Sequence, residues 1–124
     1  MKIVLKLVAT AAISMGLLMG ANAYAGAEGK CKGCHDFGAK NKVGPGLKGI
    51  MGKKAGSSDF KKYSKSLKAG GWTWDEKNMR AWLANSKTAI KDLTGDPKAK
   101  STMPPQRLKG AKLDQVIEFL KGLK

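Results

Sequence analysis

Cys31, Cys34 and His35 fall together as C-K-G-C-H, and they are every cysteine and histidine in the chain. Two thiols separated by two residues, with an imidazole directly after the second, suit covalent attachment of a c-type haem. Each thiol adds to a vinyl group of the porphyrin, and the imidazole ligates the iron. The spacing lets a single turn present both sulfurs to one edge of the macrocycle. Competing chemistries fit less well. A structural zinc site takes four protein ligands, and cysteine and histidine here supply three. A thioredoxin-type redox pair sits beside a βαβ pattern, which this sequence lacks. A plain disulfide leaves His35 unexplained, although the two thiols can pair before any haem is attached.

Iron held by one imidazole has a second axial position, and a single histidine excludes bis-histidine ligation within this chain. Beyond residue 25 the thioethers are Met51, Met79 and Met103. Met79 lies on an apolar helical face and Met51 follows Ile50, so packing is the first expectation for both. Met103 stands between Ser101-Thr102 and Pro104-Pro105. A residue before proline is pushed out of the α region, and two prolines narrow the freedom of the segment before folding. A thioether on such a strap meets iron at little ordering cost. A half-exposed loop methionine and a weakly held sixth position are the alternatives.

The elements that would position these groups read as helices and loops. Phe60, Tyr63 and Leu67 recur at helical spacing, predicting a short helix over 59–67. A second helix is predicted over 74–86, with Thr73 as N-cap, Glu76 completing a capping box, and Met79, Trp82 and Leu83 on one face. A third, over 112–123, carries Leu113, Val116, Ile117 and Leu120. Between them lie glycine- and proline-rich stretches, including residues 94–106, a loop length usually reserved for function. An all-α fold of one domain with long loops is the expectation.

Residues 1–25 read as a secretory signal peptide: Lys2 and Lys6, an apolar run from Leu7 to Met19, and Ala23-Tyr24-Ala25 as a small-x-small cleavage site. Retention as a membrane anchor is the alternative. Export to the periplasm agrees with the haem motif, because covalent haem attachment takes place outside the bacterial inner membrane. Residues 26–124 would then be the mature domain. Cleavage removes two of the 24 basic side chains and none of the nine acidic ones, so the net charge falls from +15 to +13. Nucleic acid is a poor explanation of that charge: the lysines are scattered, there are two arginines, and no nucleic-acid motif appears. An acidic protein partner or an anionic membrane surface fits better.

With these residues in place the sequence resembles class I c-type cytochromes, the family of mitochondrial cytochrome c and its soluble bacterial relatives, over nearly all of residues 31–124. The resemblance implies a small cytochrome c fold wrapped around one covalent haem c, with His35 and Met103 as iron ligands. Gly44-Pro45-Gly46-Leu47 matches the family's Gly-Pro-x-Leu segment, so the Pro45 carbonyl is expected to accept the Nδ1 proton of His35. Lys53, Tyr63 and Trp74 match positions that steady the haem propionates. Trp82 matches a position beside the axial sulfur that is often tyrosine. The family's N-terminal helix begins well before the first cysteine and crosses the C-terminal one. Here cleavage leaves only residues 26–30 ahead of Cys31, so that helix is nearly missing or the leader continues it.

The function so implied is periplasmic one-electron transport between larger redox proteins, by a monomer that is not an enzyme. Lys32, Lys42, Lys87 and Lys100 are the expected docking charges for acidic oxidases, reductases or dehydrogenases, in weak and salt-sensitive complexes. Two other classes stay open. A haem subunit or gas sensor would have a labile sixth ligand. A small peroxidase would need a distal histidine or arginine, and the only arginines are Arg80 and Arg107.

Overall fold

Asp75 opens the first of two successive helices. Its carboxylate accepts the Asn78 backbone N–H at 2.8 Å, satisfying one of the orphan donors of a first turn. The helix that follows, Glu76–Ala84, turns Met79, Trp82 and Leu83 inward. These coordinates are a computed structural model that describes residues 26–124. The described residues form a 3₁₀ helix, Ala27–Gly33, and four α-helices: α1 Lys65–Lys68, α2 Glu76–Ala84, α3 Ser86–Thr94 and α4 Gly110–Lys121. No strand occurs among them; Lys54 and Thr73 form an isolated antiparallel bridge. The all-α architecture with long loops is as expected. The expected leader and cleavage site lie outside the described residues.

Three details differ from the sequence reading. Residues 59–67 do not form one helix; only α1 does, capped by Ser64 Oγ on the Leu67 N–H. Phe60 and Tyr63 instead meet edge to face, centroids 5.0 Å apart, and the Tyr63 hydroxyl pairs with Ser58 Oγ at 2.6 Å. Those contacts reward a non-helical path. Thr73 does not cap α2, because it is paired with Lys54 and its carbonyl accepts the Asp75 N–H and the Asn78 side-chain amide. Asp75 takes that role. The predicted helix over 74–86 also stops earlier. Asn85 is extended, at φ −161° and ψ 96°, and its side chain accepts the Thr88 N–H to open α3. Helix α3 ends at Gly95, whose φ of 70° is left-handed.

The core gathers around α2, which packs on both α3 and α4, with the 3₁₀ helix against α4. Ile90, Val116 and Ile117 are fully enclosed. Trp72, Trp74 and Trp82 form a run of edge-to-face contacts, at 5.6 Å and 5.2 Å between successive rings, a favoured geometry for aromatic pairs. Beyond the 3₁₀ helix, Phe37 meets Phe119 of α4 edge to face at 4.7 Å. On the surface Arg80 bridges Glu76 of α2 and Asp114 of α4, and Lys121 pairs with Glu76 and Glu118. Exposed pairs of this kind each contribute little.

Candidate functional site

The attachment motif is shaped by its own backbone. The N–H groups of Cys34 and His35 both donate to the Cys31 carbonyl, at 3.1 and 2.9 Å, closing the turn that ends the 3₁₀ helix. Both cysteines are free thiols, Cys31 half-buried and Cys34 exposed. Burial pushes the Cys31 thiol above its ordinary value; Glu28 adds to this and Lys30 opposes it.

The His35 ring is held from one side. Its Nδ1 lies 2.7 Å from the Pro45 carbonyl oxygen, which only accepts, so Nδ1 carries a proton and, in the neutral ring, the Nε2 lone pair is left free. Backbone lies flat against the same ring. A Cβ built on Gly44 would come within 2.4 Å of His35 Cε1, so a residue without a side chain is required there. The Gly44 N–H also ties back to the Cys34 carbonyl at 2.7 Å. The expected contact between Pro45 and His35 is therefore present.

Met103 is anchored by three side chains. Trp82 Nε1 donates to Met103 Sδ at 3.0 Å. Ser86 Oγ donates to the Met103 carbonyl at 2.7 Å. Ser101 Oγ accepts the Met103 N–H and reaches the same carbonyl, each at 3.1 Å. The break at Asn85 puts Trp82 and Ser86 on successive helices, one reaching the sulfur and the other the backbone. A thioether sulfur has two lone pairs, so the indole leaves one available to a metal.

These groups fit a covalent haem. Two unpaired thiols stand beside an imidazole with a free Nε2, and a thioether is fixed in place with a lone pair to spare. Leu47, Ile50, Met51, Tyr63 and Met103 pack on the core yet stay partly exposed, an unfinished apolar interior that a large flat cofactor would complete. The Trp72 indole N–H is buried without a hydrogen-bond partner, a costly state for a donor unless an acceptor arrives. Sequence reasoning passed over Trp72. Its alternation with Trp74 in an extended segment, which puts both rings on one side, was the available signal.

The family's profile matches residues 20–124 under the description Cytochrome c. The chain belongs to the class I cytochrome c family. Cytochrome c2 of Rhodospirillum rubrum is 43% identical over 100 residues, covering 77% of this chain and 89% of that one. Cytochrome c-550 of Nitrobacter winogradskyi is 37% identical over 93 residues, covering 73% and 75%. Among solved structures, cytochrome c2 of Rhodobacter sphaeroides superposes with a TM-score of 0.70 at 31% identity, covering 82% and 94%. Cytochrome cH of Methylobacterium extorquens gives 0.64 at 39%, covering 82% and 96%. Members of this family are electron carriers built on covalent haem c, and Cys31 and Cys34 are compatible with its attachment motif.

The remaining expected positions are more scattered. Trp74 is buried in the aromatic run. Tyr63 shares its hydroxyl with Ser58, and the exposed Lys53 reaches the Lys48 carbonyl at 3.2 Å, so the polar ends of these two meet different groups. Lys32 lies over the Phe37 ring at 5.5 Å. Lys42 donates to the Lys32 carbonyl at 2.8 Å. Lys87 and Lys100 are exposed.

Proposed function

We propose that this cytochrome is an exported, periplasmic one-electron carrier. In this reading its haem iron sits between His35 and Met103, and it exchanges electrons with acidic redox proteins by brief docking. The observation that carries the ligand assignment is the hydrogen bond from Trp82 Nε1 to Met103 Sδ at 3.0 Å, which holds the one strap thioether with its second lone pair free. Bound haem supplies a one-electron Fe(II)/Fe(III) couple, and thioether ligation favours the ferrous state.

The chain's own residues keep the rearrangement of that couple small. Pro45 keeps His35 in one tautomer and orientation, while Trp82, Ser86 and Ser101 hold Met103. Ligands fixed in both oxidation states need little rearrangement when an electron arrives. Trp74 and Trp82 exclude water from the interior. Tyr63, Trp74 and Lys53 are the donors assigned to the haem propionates. The Tyr63–Ser58 pair contains two hydroxyl hydrogens and uses one between them, leaving the other for an acceptor. The pattern of residues 1–25 supports export. Among the described residues no helix is long and apolar enough to cross a membrane. The net positive charge suits an acidic partner.

The test is the ferric absorption spectrum of Met103→Ala, produced in a host equipped for c-type maturation. Loss of the sulfur-to-iron band with covalent haem retained is expected. A band that survives the substitution removes Met103 from the iron, and a colourless wild-type protein removes the cofactor.

A further inference from the structure

All three tryptophans of the chain stand in one run. It starts at the proposed iron ligand, with Trp82 Nε1 on Met103 Sδ at 3.0 Å. It continues through Trp74, 5.2 Å from Trp82 between ring centroids, and ends at Trp72, 5.6 Å from Trp74. Trp72 has no task in holding the cofactor, and its N–H is buried without a partner.

The far end of the run reaches a cleft. A Cβ built on Gly70 would lie 2.3 Å from Trp72 Cζ3 and 2.8 Å from Cε3 and Cη2, so the six-membered edge of the indole lies against that glycine. Gly70 and the exposed Gly71 line a cleft of about 290 Å³, together with Ser66, Thr94 and Ala99. Glycine backbone, with no side chain over it, stands between the indole and a molecule bound there.

Electron tunnelling falls steeply with distance, so rings in edge contact pass a charge by short steps where one long jump fails. An oxidised indole is a strong acid, and it is trapped as a neutral radical once a base takes its proton. Trp82 gives its N–H to a thioether, which is no such base, and Trp72 gives its N–H to nothing. At both ends of the run the proton stays on nitrogen and the charge remains mobile. That is a use for a buried N–H whose desolvation otherwise goes uncompensated.

We infer that Trp82, Trp74 and Trp72 form a protective relay, which carries oxidising equivalents from the iron site to the Gly70 cleft, where a small phenol discharges them. The inference rests on the carrier reading with Met103 on the iron. Hydrogen peroxide is the oxidant: it takes two electrons and two protons and leaves as two waters. Ferric iron has no electron of its couple left to give, so both electrons come through the relay, each from a phenol O–H that also releases its proton. One peroxide and two phenols thus give two waters and two phenoxyl radicals. Without a phenol, Trp72 supplies both electrons and exchanges a ring C–H for C–OH, with one water formed. Without the relay the Met103 sulfur is oxidised instead, to the sulfoxide.

The experiment treats ferric holoprotein with hydrogen peroxide and locates the added oxygen by peptide mass spectrometry. In wild type it should fall on Trp72, and cyanide on the iron should prevent this. Trp72→Phe should move the oxygen to Met103 and bleach the haem severalfold faster. Trp74→Phe, with haem loading verified by intact mass, should spare Trp72 although that residue is unchanged. Guaiacol, the phenol used, should protect Trp72 in wild type. Gly71→Leu covers the cleft from a position whose Cβ meets no atom within 4 Å; it should abolish protection by guaiacol and leave the oxygen on Trp72 in its absence. Oxidation of Trp72 that persists with cyanide, or in Trp74→Phe, means that peroxide attacks it directly and overturns the relay. Protection that survives Gly71→Leu overturns the cleft as its exit. A wild type whose Trp72 stays unoxidised, with guaiacol not consumed, also overturns the relay, while an intact sulfur-to-iron band preserves the carrier reading. Absence of that band from the wild type sinks the Met103 assignment and the inference with it.

Discussion

The Trp82 indole N–H donates to Met103 Sδ at 3.0 Å, across 21 residues of sequence. An indole nitrogen can only donate, so the polarity of this contact is unambiguous: it withdraws electron density from the sulfur and never supplies it. A sulfur so drained is a poorer donor to ferric than to ferrous iron.

Trp82→Phe removes the donor while keeping an aromatic ring. The reduction potential should fall by about 20–60 mV, the scale of one net hydrogen bond expressed for a one-electron couple. Spectroelectrochemical titration checks this. An unchanged or raised potential would show that the bond does not bias the couple.

Ser86 is fully enclosed, and its hydroxyl supports the Met103 carbonyl at 2.7 Å. Ser86→Ala should cost about 1–2 kcal/mol of stability in denaturant titration. Because the strap loses an anchor, carbon monoxide should also bind the ferrous protein faster than in wild type. Equal binding rates would mean that Trp82 and Ser101 hold the strap without Ser86.

Gly44→Ala places a methyl group where the His35 ring already lies, 2.4 Å from Cε1. The ring must leave the Pro45 carbonyl or the loop must shift. The ratio of haem-loaded to empty protein, read from intact mass, should drop. Full loading with an unaltered spectrum would show that the loop yields easily.

Glu76 has a carboxyl held below the ordinary glutamate value of 4.5, first by its hydrogen bond to Lys121 and then by Arg80. A group whose folded pKa is depressed contributes stability above its unfolded pKa and loses it as pH falls through the folded one. The acid limb below about pH 4.5 should therefore be shallower in Glu76→Gln than in wild type. Added salt should shrink the difference, since these groups are exposed. Identical limbs would dissociate the pair from acid sensitivity.

Much of the site was legible because its chemistry is local. The attachment motif spans five residues, and the turn joining Cys31 to His35 closes through their own backbone. The expectation placed on Met103 rests on counting histidines and thioethers and on its position before two prolines. Helix α4 was read within two residues of its bounds, since Val116, Ile117 and Leu120 repeat cleanly. Helix α3 escaped, because its inward face is Ser86, Ala89 and Ile90, too small and polar to stand out as a stripe. The apparent periodicity of Phe60, Tyr63 and Leu67 misled for the opposite reason. Tyr63 gains more from Phe60 and Ser58 than from a helical turn.

From its residue types and their spacing alone the chain determined which groups can bind haem, that its elements are helices, and the sign of its surface. Those properties belong to single residues or to neighbours a few positions apart. Only the tertiary structure decided that Trp82 meets the Met103 sulfur, that Gly44 lies on His35, and that Trp82 continues the run of Trp72 and Trp74. Each of those depends on chain segments brought together by packing, where the enclosed core around Ile90, Val116 and Ile117 sets the positions and local preference gives way.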